Sequence, residues 1–167
     1  MIQCCLKVWD IRQTRNASQT INKEFEAGIT AISSHPYIER MFAVGSYDEY
    51  VRLYDCRMLK EPFWKVHVGG GVWRIKWLPL CSKNCTNTEK LLVASMHGGC
   101  RVIQCNDLHN SSEMPSAEVV SSFTEHKSMV YGADWVLFDK QDSIREVAAT
   151  CSFYDRQAYL WSPKECL

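Results

Sequence analysis

The chain lacks a surplus of either charge: 19 lysines and arginines balance 19 aspartates and glutamates in 167 residues. That balance gives no basis for a broad nucleic-acid or anionic-membrane face, so neither is expected as a partner. No apolar run nears the ~20 residues needed to cross a bilayer. Met1 to Lys7 do not have the charged-then-apolar layout of a secretion signal. Helical periodicity is missing along the whole chain. So are a Gly-x-Ser-x-Gly nucleophile elbow and a His-Glu-x-x-His zinc motif. Gly69-Gly70-Gly71 lacks the strand-turn-helix context of a phosphate loop, and no cofactor is expected. Cysteine, by contrast, is plentiful. There are nine, an odd number, and most lie in apolar strand-like runs such as Val147 to Cys151. Reduced thiols used as small hydrophobes suit the cytoplasm, with the nucleus as the alternative. Cys81 and Cys85 have ligand-like spacing, but no second pair follows, so no metal site is expected.

What the chain does have is an internal echo. Gly45-Ser46-Tyr47-Asp48-Glu49-Tyr50-Val51-Arg52-Leu53-Tyr54-Asp55 returns in degraded form as Ser152 to Trp161, with a third copy running from Ala94 to Ile103. Val8-Trp9-Asp10-Ile11-Arg12 reads as the end of a fourth. Each unit starts with an alternating apolar strand (Ile29 to Ser33, Val72 to Trp77, Val130 to Trp135). A hairpin follows, with its turn at Asp48, His97 or Asp155, and then a weaker strand at 21–25, 63–66 or 119–123. Four short strands at a spacing near ~40–45 residues predict blades of a β-propeller. The expected units are 1–25 (the end of a blade), 26–68, 69–125 and 126–167, with exposed insertions at 106–118 and 139–145. The fold class is therefore all-β: a partial WD-repeat β-propeller of about three blades plus a remnant. A ring usually needs at least ~4 blades. The sequence accordingly reads as part of a longer protein, with apolar sides exposed at its first and last blades.

The repeats resemble the WD-repeat family. Trp9-Asp10 matches its closing dipeptide, and Tyr54-Asp55 and Trp161-Ser162 are weaker versions. By that resemblance His126, Asp155 and Trp161 match three members of a stiffening hydrogen-bonded tetrad. Cys151 stands where the fourth, a serine or threonine, is expected. A second resemblance is more specific. Gly70-Gly71-Val72-Trp73-Arg74-Ile75-Lys76-Trp77, Met96-His97-Gly98, Val130 to Trp135 and Ala149 to Asp155 recur in the order seen in the diphthine methyl ester hydrolases, a WD-repeat family of diphthamide biosynthesis. The resemblance covers nearly everything from Gly45 onward. It implies removal of a methyl ester from a modified histidine of elongation factor 2, which would make that factor the partner.

Ester hydrolysis needs an activated nucleophile, a proton donor and stabilisation of an oxyanion. With no local motif, these groups must converge from separate blades. His97 is one candidate, because it stands at the turn position that Asp48 and Asp155 hold elsewhere. Imidazole can serve as a general base on water, although an exposed turn histidine is the plainer reading. Asp134 either orients a base or binds the substrate's cationic group; otherwise it faces solvent or caps an amide. Arg74 either binds a carboxylate or oxyanion, or pairs with a neighbouring acid. Gly70 and Gly71 allow close backbone approach to a ligand. Together with Met96 they are substrate-binding candidates, as are Trp73, Tyr131 and Phe153, whose rings suit the trimethylammonium group of diphthine. A competing reading comes from Trp9-Asp10-Ile11-Arg12 and Tyr54-Asp55-Cys56-Arg57. These resemble the signature of WD-repeat substrate receptors, in which Arg12 and Arg57 would dock on an adaptor of a cullin-type ubiquitin ligase.

Overall fold

Each apolar run pairs with the next one along the chain, so every sheet is antiparallel and built from sequential hairpins. The computed structural model describes residues 4–79, 88–109, 114–140 and 143–163. They form thirteen strands and no helix. β1 (Leu6–Val8) and β2 (Gln19–Ile21) make the two-stranded remnant. The first full blade contains β3 (Ile29–Ser34), β4 (Met41–Ser46), β5 (Tyr50–Asp55) and β6 (Trp64–His67) in sequential order. The second contains β7 (Arg74–Trp77), β8 (Thr88–Ala94), β9 (Cys100–Asn106) and β10 (Ser116–Phe123). The third has β11 (Val130–Lys140), β12 (Ser143–Ser152) and β13 (Gln157–Trp161). This is the partial propeller expected. Cys81 and Cys85 lie outside the described residues.

Two expected loops are shorter than the sequence suggested. The segment 139–145 is largely drawn into the β11–β12 hairpin, whose ladder runs out to the pairing of Lys140 with Ser143. The apolar run Val136-Leu137-Phe138 keeps β-propensity high beyond Trp135, so pairing continues where a loop was anticipated. The insertion after β9 closes on the Asn106–Ser116 pair. At the other end, Phe25 leaves the strand expected at 21–25, yet stays buried against Tyr54 with ring centroids 6.4 Å apart.

Alternation along each strand puts apolar residues on both faces of a blade, and three clusters fill the spaces between neighbouring sheets. Leu6, Ile21 and Phe25 of the remnant pack on Val44 and Tyr54. Val51, Leu53 and Trp64 meet Ile75, Trp77, Leu91 and Val93 between the first and second blades. Leu92, Ala94 and Val102 meet Val130, Ala133, Trp135 and Ala148 between the second and third. A buried polar clamp crosses the middle junction. His35 takes backbone N–H bonds from Tyr37 and Ile38 on Nδ1, which leaves its Nε2–H for Glu89. Glu89 also receives His109 Nε2 at 2.8 Å. Burial favours the neutral acid, but the two imidazoles outweigh it and hold the Glu89 carboxyl below its ordinary value.

Blade 3 is stiffened by the tetrad, with one member corrected. His126 Nδ1 lies 3.2 Å from Asp155 Oδ2. Its Nε2 lies 3.1 Å from Thr150 Oγ1, which also accepts Trp161 Nε1–H at 3.3 Å. The carboxylate can only accept, so the relay runs Trp161 to Thr150 to His126 to Asp155. Thr150, rather than Cys151, is the fourth member. The reason is strand parity: successive residues of β12 face opposite sides, and Cys151 is exposed. A Cβ on Gly132 would come within 2.3 Å of the Cys151 Sγ, so the thiol would have to turn aside for any larger residue there. Thr150→Val is therefore expected to destabilise by about 1–3 kcal/mol. Cys151→Ser should stay within about 0.5 kcal/mol. Urea denaturation of the two variants checks the assignment; equal losses would refute it.

Candidate functional site

The turns between the second and third strands of each blade, and the loops entering the inner strands, meet on one face. Met96 bridges to Val130, and the Val130 N–H donates to the Met96 carbonyl at 3.0 Å. The Gly69–Gly71 loop packs tightly on the second blade's turn. A Cβ on Gly70 would sit 2.1 Å from the Ser95 carbonyl oxygen, and one on Gly98 would sit 2.6 Å from the Gly69 oxygen. The close approach that the glycines permit is thus between two segments of this chain. Gly70 and Gly71 are both buried. Tyr47 and Met96 flank Gly71, where a Cβ would lie 2.9 Å and 3.1 Å from them.

Above these loops runs a row of aromatic rings across all three blades. Tyr47 and Trp73 have centroids 6.3 Å apart, Trp73 and Tyr131 5.2 Å, Tyr131 and Tyr154 6.0 Å, and Tyr154 and Phe153 5.3 Å. Tyr47, Trp73, Phe153 and Tyr154 are among the exposed large hydrophobics, with Phe153 at 77%. Tyr131 Oη donates to the sulfur of Met129 at 3.5 Å. Of these rings, Trp73, Tyr131 and Phe153 are read from the sequence as a wall. Tyr47 and Tyr154 complete it. Their signal lay in the echo itself, where Tyr-Asp recurs at both turns.

His97 lies at the next turn, 64% exposed, with Nε2 3.5 Å from Glu49 Oε1. The other oxygen of Glu49 receives His67 Nε2 at 2.9 Å. Glu49 holds this bridging place with φ of 68°, a left-handed conformation that is costly for a side chain with a Cβ. The Glu49 carboxylate thus stands within ion-pair reach of both His97 and His67. Sequence reasoning missed Glu49 and His67, because it brings two turns and an outer strand together.

Arg74 and Asp134 are not joined to His97. They line a separate concavity of about 640 Å³ between the second blade's inner strand and the third blade, with Gly132, Cys151 and Leu160. There Asp134 pairs with Lys76 Nζ at 3.0 Å. Arg74 is exposed and forms no ion pair among the described residues. No group of three or more metal-ligating side chains gathers among those residues. Arg12 and Arg57 fold back alike. Each guanidinium bonds the aspartate two residues earlier, at 2.8 Å to Asp10 and 2.7 Å to Asp55, while remaining exposed.

Over most of its length the chain aligns with proteins bearing one name. It is 36% identical to the diphthine methyltransferase homolog of Dictyostelium discoideum across 96% of this chain and 44% of that protein. Against the diphthine methyltransferase of Homo sapiens it is 39% identical over 78% of this chain and 27% of that protein. The Saccharomyces cerevisiae diphthine methyltransferase is 30% identical over 84% of this chain and 38% of that protein. The chain resembles the diphthine methyltransferases. It spans less than half the length of these relatives. No family model matches the chain.

Proposed function

We propose that the chain is part of a protein of diphthamide biosynthesis that acts on methyl-esterified diphthine on elongation factor 2 and hydrolyses its ester. The aromatic row from Tyr47 to Phe153 carries this reading. A trimethylammonium group has no N–H to donate, so it is recognised by the negative faces of rings, each adding about 0.5–2 kcal/mol. The row offers such faces on the side of the blades where the turns, that of His97 among them, gather. The relatives' name and the ester-hydrolase resemblance share diphthine as substrate and differ in the direction in which the methyl group moves. In the hydrolytic direction, His97 Nδ1 takes a proton from water as its oxygen attacks the ester carbonyl carbon. The carbon–methoxy bond then breaks, the proton passes to the methoxide, and methanol leaves a carboxylic acid that ionises to the carboxylate by releasing its proton to solvent. Glu49 holds the ring in place.

The decisive experiment incubates the chain, and a version extended to its relatives' length, with methyl-esterified diphthine on elongation factor 2. Release of methanol, with loss of the methyl mass from the factor, is expected. A folded, full-length protein that leaves the ester intact refutes the reading. A second reading, as a ubiquitin-ligase substrate receptor, is favoured by the identical Asp10–Arg12 and Asp55–Arg57 turns, whose arginines stay exposed. It expects the adaptor to co-purify with the protein and to be lost on joint Arg12→Ala and Arg57→Ala substitution.

A further inference from the structure

Comparing the three turns reveals an asymmetry that the proposed activity does not use. In blade 1 the Asp48 carboxylate accepts the N–H of Glu26 at 3.2 Å, the N–H of Tyr50 at 3.2 Å, and both terminal nitrogens of Arg52 at 2.9 and 2.7 Å. In blade 3 Asp155 likewise accepts the N–H groups of Lys127 and Gln157, at 3.1 and 2.9 Å, and meets His126. Blades 1 and 3 thus each seat one carboxylate between the loop entering the inner strand, the returning strand and a side chain.

Blade 2 changes the acceptor and leaves two of the three donors unused, since the N–H of Gly99, the counterpart of Tyr50, donates to the Met96 carbonyl at 3.3 Å. The ladders fix the correspondence. Gly45 pairs with Val51 and Val44 with Arg52, just as Ala94 pairs with Cys100 and Val93 with Arg101. Arg101 is therefore the counterpart of Arg52, and His97 that of Asp48. Glu26 and Lys127 stand three residues before Ile29 and Val130, and Gly69 stands three before Val72. The N–H of Gly69 finds no acceptor among the described residues. Arg101 lies beside it, its Nη2 3.4 Å from where a Gly69 Cβ would be. Gly69 also has φ of +77°, which favours glycine at that place. The half-buried Arg101 makes one hydrogen bond, to its neighbour's carbonyl (Cys100 O, 3.0 Å), and no ion pair among the described residues. His97, for its part, turns away to Glu49. Beneath the turn, the fully buried Ser95 hydroxyl is also unpartnered, whereas its counterpart Ser46 bonds the carbonyls of Ala27 and Gly28.

We infer that the blade 2 turn binds an external carboxylate between the Gly69 N–H and the Arg101 guanidinium, where its sister blades hold their own aspartates. A fork of arginine donors beside a backbone N–H is the arrangement that recognises a planar carboxylate. Glu49, the acid on the adjoining turn, is engaged by His67 and His97. The site stands independently of ester hydrolysis. If that activity holds, the carboxylate it frees has the right chemistry to occupy it.

Acetate is the probe, titrated into the full chain against chloride at equal ionic strength, with the Arg101 guanidinium followed by NMR. A saturable shift is expected. Arg101→Met should weaken acetate at least about tenfold. His97→Asp should do the same while raising the melting temperature, because it supplies the carboxylate from within. Acetate carries no ester, so binding is scored whether or not methanol is ever released. A shift that never saturates, or acetate binding unchanged in a folded His97→Asp variant, overturns the inference.

Discussion

Replacing Asp48 with alanine should destabilise the chain by about 3–5 kcal/mol, because it strands a buried guanidinium. Arg52 has no exposed side-chain surface, and Asp48 has 3%. The arginine is wedged beneath the turn, its Cζ 4.7 Å from the Phe25 ring centroid, and its Nη2 also donates to the Glu24 carbonyl at 2.6 Å. None of these contacts can neutralise the charge once the carboxylate has gone. The double variant Asp48→Ala/Arg52→Met should recover most of the loss, since it removes the stranded charge as well. Urea unfolding of the three variants checks this, and a loss below about 1 kcal/mol in the single variant would contradict it. The same carboxylate shapes the acid limb. Burial would raise the Asp48 pKa, but Arg52 and the Glu26 and Tyr50 N–H groups outweigh it and hold the group low. Asp155 is held low in the same way by Gln157, His126 and Lys127 against the pull of burial. Depressed carboxyls stabilise the fold above their unfolded pKa of about 4 and lose that contribution as pH falls toward their folded values. Stability should therefore fall steadily below about pH 5, and Asp48→Ala should flatten that fall.

The blades were legible in the sequence because each strand carries its own signal. Alternating apolar residues, a tight turn and a period near a blade's length all agree for β3 to β5 and β7 to β9. What the sequence concealed depends on register. Thr150 and Cys151 are neighbours with similar side chains, and only the pairing of β12 decides which one faces His126. The Asp48–Arg52 pair was hidden for a related reason: a charged residue in a strand reads as solvent-facing until the packing of the next blade is known. The site fared likewise. Single rings were readable as candidates, but their union into one row needs the curvature of three blades. Arg74 and Asp134 lie close to that row in sequence. They belong to the opposite parity of their strands, and this carries them to another concavity.

His97→Ala should lower the rate of ester hydrolysis at least about a hundredfold, the scale of a lost general base. Its ring is mostly exposed and packs in no buried cluster, so the variant should keep its melting temperature. A loss of activity then cannot be put down to unfolding. The aromatic row provides the contrast. Phe153→Ala and Tyr154→Ala remove exposed rings, which under the proposed function would meet the substrate's cation and not its reacting carbon. Each should raise KM by a few-fold to about thirtyfold, as a cation–π contact of about 0.5–2 kcal/mol requires, and leave kcat nearly unchanged. His97→Ala should show the reverse pattern, because a proton transfer made in the transition state contributes little to ground-state binding. Steady-state kinetics on the esterified factor separates the two. A drop of less than about tenfold in kcat for His97→Ala would remove the imidazole from the reaction, while raised KM in the ring variants would still assign the row to binding.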